Sequence, residues 1–279
     1  MAEKLTFSGH ESFHCKTLWL KKGYDAVKAG TDFNSPEAVV KLGVGKNMVA
    51  SIRYWMKATG CMDVQNKLTP FASFLLDSDI GQDPFLEDEA SLWLLHYNLV
   101  TKGIASLYRL AFLGFKREKK EFTKEQFFQF VRRVAAGVTV ASENSITKDI
   151  NVFLQTYVAP LGMKSVEEYG AIFIDLGLIR RVDNDRYVFT EMPSIAVPDA
   201  VLLYAMTEYR KGGKTVSVDG LQDLSLIFGL PMPDLVKSVE GIARRHPEEI
   251  TYSDNSGIKK VQFVEDVDVA EELKKHYAR

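Results

Sequence analysis

Residues 35–55, SPEAVVKLGVGKNMVASIRYW, decide how the first part of the chain is read. The centre, GVGKN, has the look of a phosphate-binding loop. Such a loop needs a glycine, four residues, then Gly-Lys-Ser/Thr after an apolar strand. Gly45 and Lys46 fit, but Val40 stands where the first glycine belongs, Asn47 has no hydroxyl for magnesium, and no apolar strand precedes. No nucleotide is expected. The stretch reads instead as two helices. Ser35 is a helix N-cap with Pro36 in the first turn, where a missing N–H costs nothing. EAVVKL makes about two turns, and Gly43 ends them. A second helix starts near Gly45–Lys46 and closes at Gly60. Met48, Val49, Ile52, Trp55 and Met56 recur at three- and four-residue spacing and form its buried face. Lys46, Asn47, Ala50, Arg53, Tyr54 and Lys57 fall toward the other side.

Working outward, CKTLWLKKGYDAVKA (15–29) supplies an earlier helix and completes a three-helix core. MDVQNKLTPFASFLL (62–76) reads as a short extended piece with a turn at Asn66–Lys67. Helix, tight turn, helix, then strand is a helix-turn-helix with a wing. SDIGQDPFL (78–86) is polar, contains Gly and Pro, and reads as a linker. Three helices follow: EDEASLWLLHYNLV, KGIASLYRLAFLGF and TKEQFFQFVRRVAAGV. Glu87, Asp88 and Glu89 complement the dipole of the first. KREKKEF (116–122) reads as a solvated loop. ITKDINVFLQTYV and SVEEYGAIFIDLGLI (165–179) read as helices, and RRVDNDRYVFT as a hairpin. PDAVLLYAMTEYRK and PDLVKSVEGIARR then precede the hairpin ITYSDNSGIKKVQFV, with DNSG as its turn. The repetition is of architecture, since the sequences differ. The expected class is mainly α, with winged-helix-like modules around a helical middle. The divisions are 1–80, 81–195 and 196–279.

The chain has 279 residues, 46% hydrophobic and 26% charged, with a formal net charge of −2. That balance exerts no global pull on nucleic acid, so any such binding needs a local basic face. Besides the stripe at 46–57, Lys237, Arg244 and Arg245 make a helix locally basic, which a solvated surface explains equally well. Cys15 and Cys61 are too few for a disulfide framework or a four-cysteine zinc site, and reduced thiols are the plain reading. The N-terminus lacks the apolar core of a signal peptide, and the apolar runs are too short to span a bilayer. The expectation is a cytoplasmic protein with no membrane partner.

FSGHESFHCKTLWLKKGYD (7–25) is densest in reactive types. His10, Glu11 and His14 match the His-Glu-x-x-His spacing of zinc hydrolases. That motif must lie mid-helix, however, and FSGH reads as a loop or helix start. His96, His246 and His276 stand far off, beside no obvious third ligand. The plain alternative is that Phe7 and Phe13 pack while His10 and Glu11 hydrogen-bond locally. Serine-hydrolase, dinucleotide and calcium-loop signatures are absent, and no carboxylate spacing marks a two-metal site.

FSGHESF with WLKKGYD, then VVKLGVGKNMVASIRYW, and farther on VPDAVLLYAM and IFGLP, together resemble a bacterial domain-of-unknown-function family found in DNA phosphorothioation and anti-phage gene clusters. The resemblance extends over most of the chain. It implies a role in which DNA is nicked so that sulfur can replace a phosphate oxygen. It also implies partners: double-stranded DNA, a cysteine desulfurase, an ATPase and a protein similar to phosphoadenosine-phosphosulfate (PAPS) reductases. The first expectation is therefore a DNA-binding component of a phosphorothioation-linked defence system, with nicking as its activity. Lys46, Arg53 and Lys57 would meet phosphates, and Asn47 and Tyr54 would reach base edges or sugar. A nickase needs carboxylates and a divalent metal, Mg2+ or Mn2+. His10 and Glu11 are the catalytic candidates, a base paired with an acid. The alternative is a non-catalytic winged-helix adaptor or transcriptional regulator.

Overall fold

The computed structural model describes residues 5–138, 141–160, 170–255 and 258–278. The protein is mainly helical, with two three-stranded antiparallel sheets among the described residues. The chain forms two compact units, Met1–Phe189 and Thr190–Arg279.

The first unit opens with α1 (Thr17–Lys28), α2 (Glu37–Leu42) and α3 (Lys46–Ala58), which pack on one another. The Ser35 hydroxyl accepts from the Glu37 N–H, and Gly43 closes α2 at φ 64°. That left-handed geometry costs a glycine little, which permits the tight entry into α3. Val49, Ile52, Trp55 and Met56 are buried. Helix α1 crosses α3 at Gly23, where a Cβ would sit 2.9 Å from Met56.

The next stretch departs from its sequence reading. Residues 62–68 make one β-bridge, Met62 to Leu68, around Asn66 at φ 65°. The following residues are α4 (Pro70–Leu76), where an extended run was expected. The Thr69 hydroxyl accepts from the Ala72 N–H, and Pro70 fits the first helical position. Residues 78–86 are not a linker but a set of turns bound into the unit. Lys21 donates to Ser78 Oγ at 2.7 Å. The nearly buried Asp83 carboxylate accepts from the Glu87 and Asp88 N–H groups and from Ser91 Oγ, which fixes the start of α5 (Glu89–Thr101). Residues 90–100 of α5 are buried throughout, so SLWLLHYNLV is core.

Helix α6 (Ser106–Arg109) runs into a π-helical turn, Leu110–Phe115, and a last helical piece, α7 (Lys116–Glu118). A Cβ on Gly114 would lie 2.9 Å from the Phe130 ring, so glycine lets that ring approach. The stretch 116–122 is solvated as expected from 117 to 121, but it is not all loop: beyond α7 it contains most of β1 (Glu121–Thr123). Phe122 is buried and carries that strand into the core. α8 (Lys124–Ala135) starts with a reciprocal cap between Thr123 and Gln126, and α9 (Glu143–Tyr157) starts at Ser142. Of the helix expected at 165–179, residues 165–169 lie outside the described residues. Residues 170–178 are turns, because their backbone bonds to 15–17: Thr17 N donates to Gly170 O and Ile172 N to Cys15 O. β2 (Ile179–Arg181) and β3 (Arg186–Phe189) form the expected hairpin, and the sheet order is β1-β3-β2. Phe112, Phe115, Phe122, Phe127, Phe153, Tyr157 and Phe189 fill the space between this sheet and its helices.

The second unit runs α10 (Asp199–Tyr209), β4 (Thr215–Val216), α11 (Val218–Phe228), α12 (Met232–Arg245), β5 (Ile250–Asn255), β6 (Ile258–Phe263) and α13 (Val269–Tyr277). Residues 256–257 of the expected DNSG turn lie outside the described residues. β4, α11 and α13 are additions to the sequence reading. Sheet order is β4-β6-β5, the same placement of first strand against returning hairpin as in β1-β3-β2. Leu221, Leu224, Phe228, Leu235, Val239, Val261 and Phe263 make this unit's own core. Among the described residues no helix is long and apolar enough to cross a membrane.

Candidate functional site

Lys46 and Asn47 occupy the first turn of α3 and are exposed, while Arg53, Tyr54 and Lys57 farther along are half-buried. Arg53 Nη1 donates to Asn34 Oδ1 at 2.7 Å, and Lys57 Nζ donates to the Val64 carbonyl at 3.2 Å. The two cations are thus tied to the loops before and after the helix. Burial holds the Lys57 ammonium below the ordinary lysine value. Arg53 adds to that effect and Asp63 opposes it.

Tyr54 turns a different way. Its ring lies edge-on to His10, centroids 5.9 Å apart. Gly9 rests against it so closely that a Cβ there would stand 2.4 Å from two ring carbons. Burial, and then the Asp149 carboxylate, push its phenol above the usual tyrosine value. Its ring is therefore a packing surface for the N-terminal loop.

That loop has an unusual backbone. Ser8, Glu11 and Ser12 all have positive φ, at 65°, 50° and 64°. Each such non-glycine residue costs on the order of 1–3 kcal/mol unless its surroundings hold it. Asp149 of α9 supplies much of the hold. Its two oxygens accept from the Ser8 N–H at 3.0 and 3.1 Å, and Oδ1 lies 3.1 Å from His10 Nε2. The His10–Asp149 approach is close but lacks hydrogen-bond alignment. On the other side of the ring, His10 Nδ1 accepts from the Ser12 N–H at 3.1 Å. This bond assigns the neutral ring's proton to Nε2, facing Asp149. The imidazole also stacks on Trp55 at 6.2 Å, and Trp55 Nε1 donates to the Phe13 carbonyl. His10 and Asp149 are both almost wholly buried.

The sequence candidates therefore separate. His10 is interior, with both nitrogens turned to protein partners, whereas Glu11 is exposed at the loop surface. His14 is held below the ordinary imidazole value by burial, with Lys16 in support and Gln155 opposing, which favours a neutral ring. Asp149 is the partner that spacing could not indicate, 139 residues beyond His10. Among the described residues no three His, Cys, Asp or Glu side chains gather to hold one metal ion. Asp149, the nearest carboxylate to His10, already uses both oxygens on the loop. These residues as arranged do not fit a divalent cation or a catalytic zinc. Cys15 and Cys61 are completely buried. Burial raises the Cys15 thiol well above its usual value, with a lesser push from Cys61. Cys61 itself is pushed up to about 12 by burial against a lowering bond from Thr59.

Comparison with known proteins adds three findings. The family model of a protein of unknown function, DUF4007, matches residues 7–277. No curated protein matches the chain. Two solved structures do: a magnesium ion-bound SspB crystal structure, with TM-score 0.83 and 28% identity over 98% of this chain and 88% of that one, and a further SspB crystal structure, with TM-score 0.79 and 27% identity over 99% and 88%.

Proposed function

Because the chain belongs to the DUF4007 family, we propose that it is a DNA-binding component of a phosphorothioation-linked anti-phage defence system, similar in role to SspB. The defence setting rests on the family resemblance of FSGHESF, VVKLGVGKNMVASIRYW and VPDAVLLYAM, and on likeness to SspB across nearly the whole chain.

DNA binding rests on one observation above the rest: α3 starts with the exposed Lys46–Asn47 pair and carries Arg53 and Lys57 on the same side. In a helix-turn-helix the second helix enters the major groove by its N-terminal residues. A polyanion there would relieve the desolvated, repelled Lys57 ammonium. Tyr54 drops out of the reading face, because its ring supports Gly9 and His10. We read the three helix-and-hairpin groups as winged helices: α1–α3 with the bridge at 62–68, α6–β3, and α10–β6. The last two share helix, strand, helix, helix, hairpin order.

Nicking is the further part of the proposal, with Mg2+ or Mn2+ as cofactor. A cysteine desulfurase, an ATPase and a PAPS-reductase-like protein are its proposed partners. One similar structure is magnesium-bound, whereas among the described residues the donor atoms around His10 form no metal-binding set. Within the N-terminal loop, Glu11 is the accessible acid and His10 the brace beneath it.

Two measurements test the proposal. Lys46→Ala with Arg53→Ala should weaken duplex DNA binding and reduce the slope of log K against log salt by roughly two. Unchanged binding would remove the α3 face. Supercoiled plasmid with Mg2+ or Mn2+, with and without chelator, tests nicking. Relaxed product that disappears in Glu11→Gln supports an enzyme. Intact plasmid leaves the second reading, a non-catalytic adaptor or regulator, which the buried, loop-bracing position of His10 favours.

A further inference from the structure

Gly241 lies in the interior of α12, on a half-exposed face, with no internal reason to be glycine. A Cβ built there meets nothing nearer than Arg245 Nη1 at 3.7 Å and Arg244 Nη2 at 3.9 Å, ordinary contact with the ends of flexible side chains. Its φ is not in the left-handed range. Glycine destabilises a helix interior relative to alanine, so a position with room for alanine that keeps glycine is locally unfavourable. Close approach of a ligand to the bare backbone is a use that would justify it.

The neighbours indicate the ligand's charge. Lys237 and Ser238 precede Gly241 by four and three residues, and Arg244 and Arg245 follow by three and four, so all five share one face. They line a cleft of about 740 Å³ whose other walls are residues 194–198, α10 and α13. Four lysine or arginine side chains line it (Lys237, Arg244, Arg245 and Lys275) against two carboxylates, Asp199 and Glu272. The carboxylates are already committed: Asp199 binds Arg245 at 2.5 Å and Glu272 binds Lys275 at 2.7 Å. Lys237 has no ion pair among the described residues, and Arg244 has only a loose one, 4.0 Å from Glu240. The uncommitted charge in the cleft is therefore positive and flanks the bare strip at Gly241. α12 is also the third helix of its group, the counterpart of α3.

We propose that this face of α12 is a second DNA site in the C-terminal unit, where a phosphodiester group seats against Gly241 between Lys237 and Arg244. The proposal rests on the DNA-binding reading above and extends it from the α3 face to a separate unit.

The test uses the full-length chain and a duplex oligonucleotide. Gly241→Ala should raise Tm by a few degrees, because it improves helix propensity. It should also weaken DNA binding several-fold, because the methyl group holds the phosphate off. Lys237→Ala with Arg244→Ala should flatten the salt dependence by about two in slope. A more stable Gly241→Ala protein with undiminished binding, together with an unchanged salt slope in the double variant, would overturn the site. A fall in Tm for Gly241→Ala would remove the argument from glycine, and the salt slope would then decide alone. If those variants bind normally while Lys46→Ala/Arg53→Ala does not, only this inference fails. If the unaltered chain binds no duplex, the proposed function fails with it.

Discussion

Asp149 binds the loop backbone at Ser8 and faces His10, so one carboxylate restrains residues that have left ordinary backbone space. Truncating a buried acceptor leaves its donors unsatisfied, at a cost of about 1–3 kcal/mol. Asp149→Ala should therefore lower unfolding free energy by about 2 kcal/mol, measured by chemical denaturation, and should expose the loop to protease first. A variant as stable as the parent would mean that the loop is held elsewhere. At this scale the sequence was partly readable. FSGHESF stands out by its reactive types, and local hydrogen bonding by His10 is the plain reading of them. Asp149 could not be read, because nothing in ITKDINVFLQTYV distinguishes an aspartate aimed inward from one on a solvated helix face. Tyr54 misleads for a related reason: helical spacing assigns it to the polar side, but the covering loop arrives from elsewhere in the chain.

Elements whose ends are marked locally were legible. Ser35, Pro36 and Gly43 bound α2, and the spacing of Val49, Ile52, Trp55 and Met56 defines α3. α4 carries equally good signals in Thr69 and Pro70, yet the preceding turn at Asn66 favours an extended reading. β1 has one buried residue, Phe122, and its partner strand begins more than 60 residues later, so no short-range pattern announces it. The tie between α1 and α4 gives a prediction with a definite sign. Asp77, just after α4, accepts from Lys28 Nζ at 2.8 Å and from Tyr24 Oη at 2.6 Å. Lys28 first, then Tyr24 and the backbone N–H of Asp79, hold its carboxyl well below the usual range. A depressed folded value means that its stabilisation is complete above about pH 4, the unfolded value, and declines as pH falls from there toward the folded value. Melting curves across that acid range should be flatter for Asp77→Asn than for the parent. Equal slopes would show that Asp77 contributes no acid sensitivity.

For the whole molecule, the second unit has its own helices, sheet and core within residues 190–279. A segment of that size with a continuous core can fold alone. The fragment 190–279 should give a cooperative thermal transition by circular dichroism and dispersed amide signals by NMR. A non-cooperative melt would tie its folding to the first unit. Architectural repetition was visible in the sequence as recurring helix-and-hairpin order. The matching third strands, β1 and β4, were hidden because they span three and two residues.

The sequestered sulfurs of Cys15 and Cys61 amount to a built-in clock. With their thiolates suppressed and both side chains wholly buried, thiol–disulfide exchange must wait for the N-terminal helices to part. The time course of labelling by a small disulfide reagent therefore reads how often they do so. In the presence of duplex DNA, a ligand that grips α3 should slow that tick, and one that binds only the C-terminal unit should leave its pace to the first unit alone.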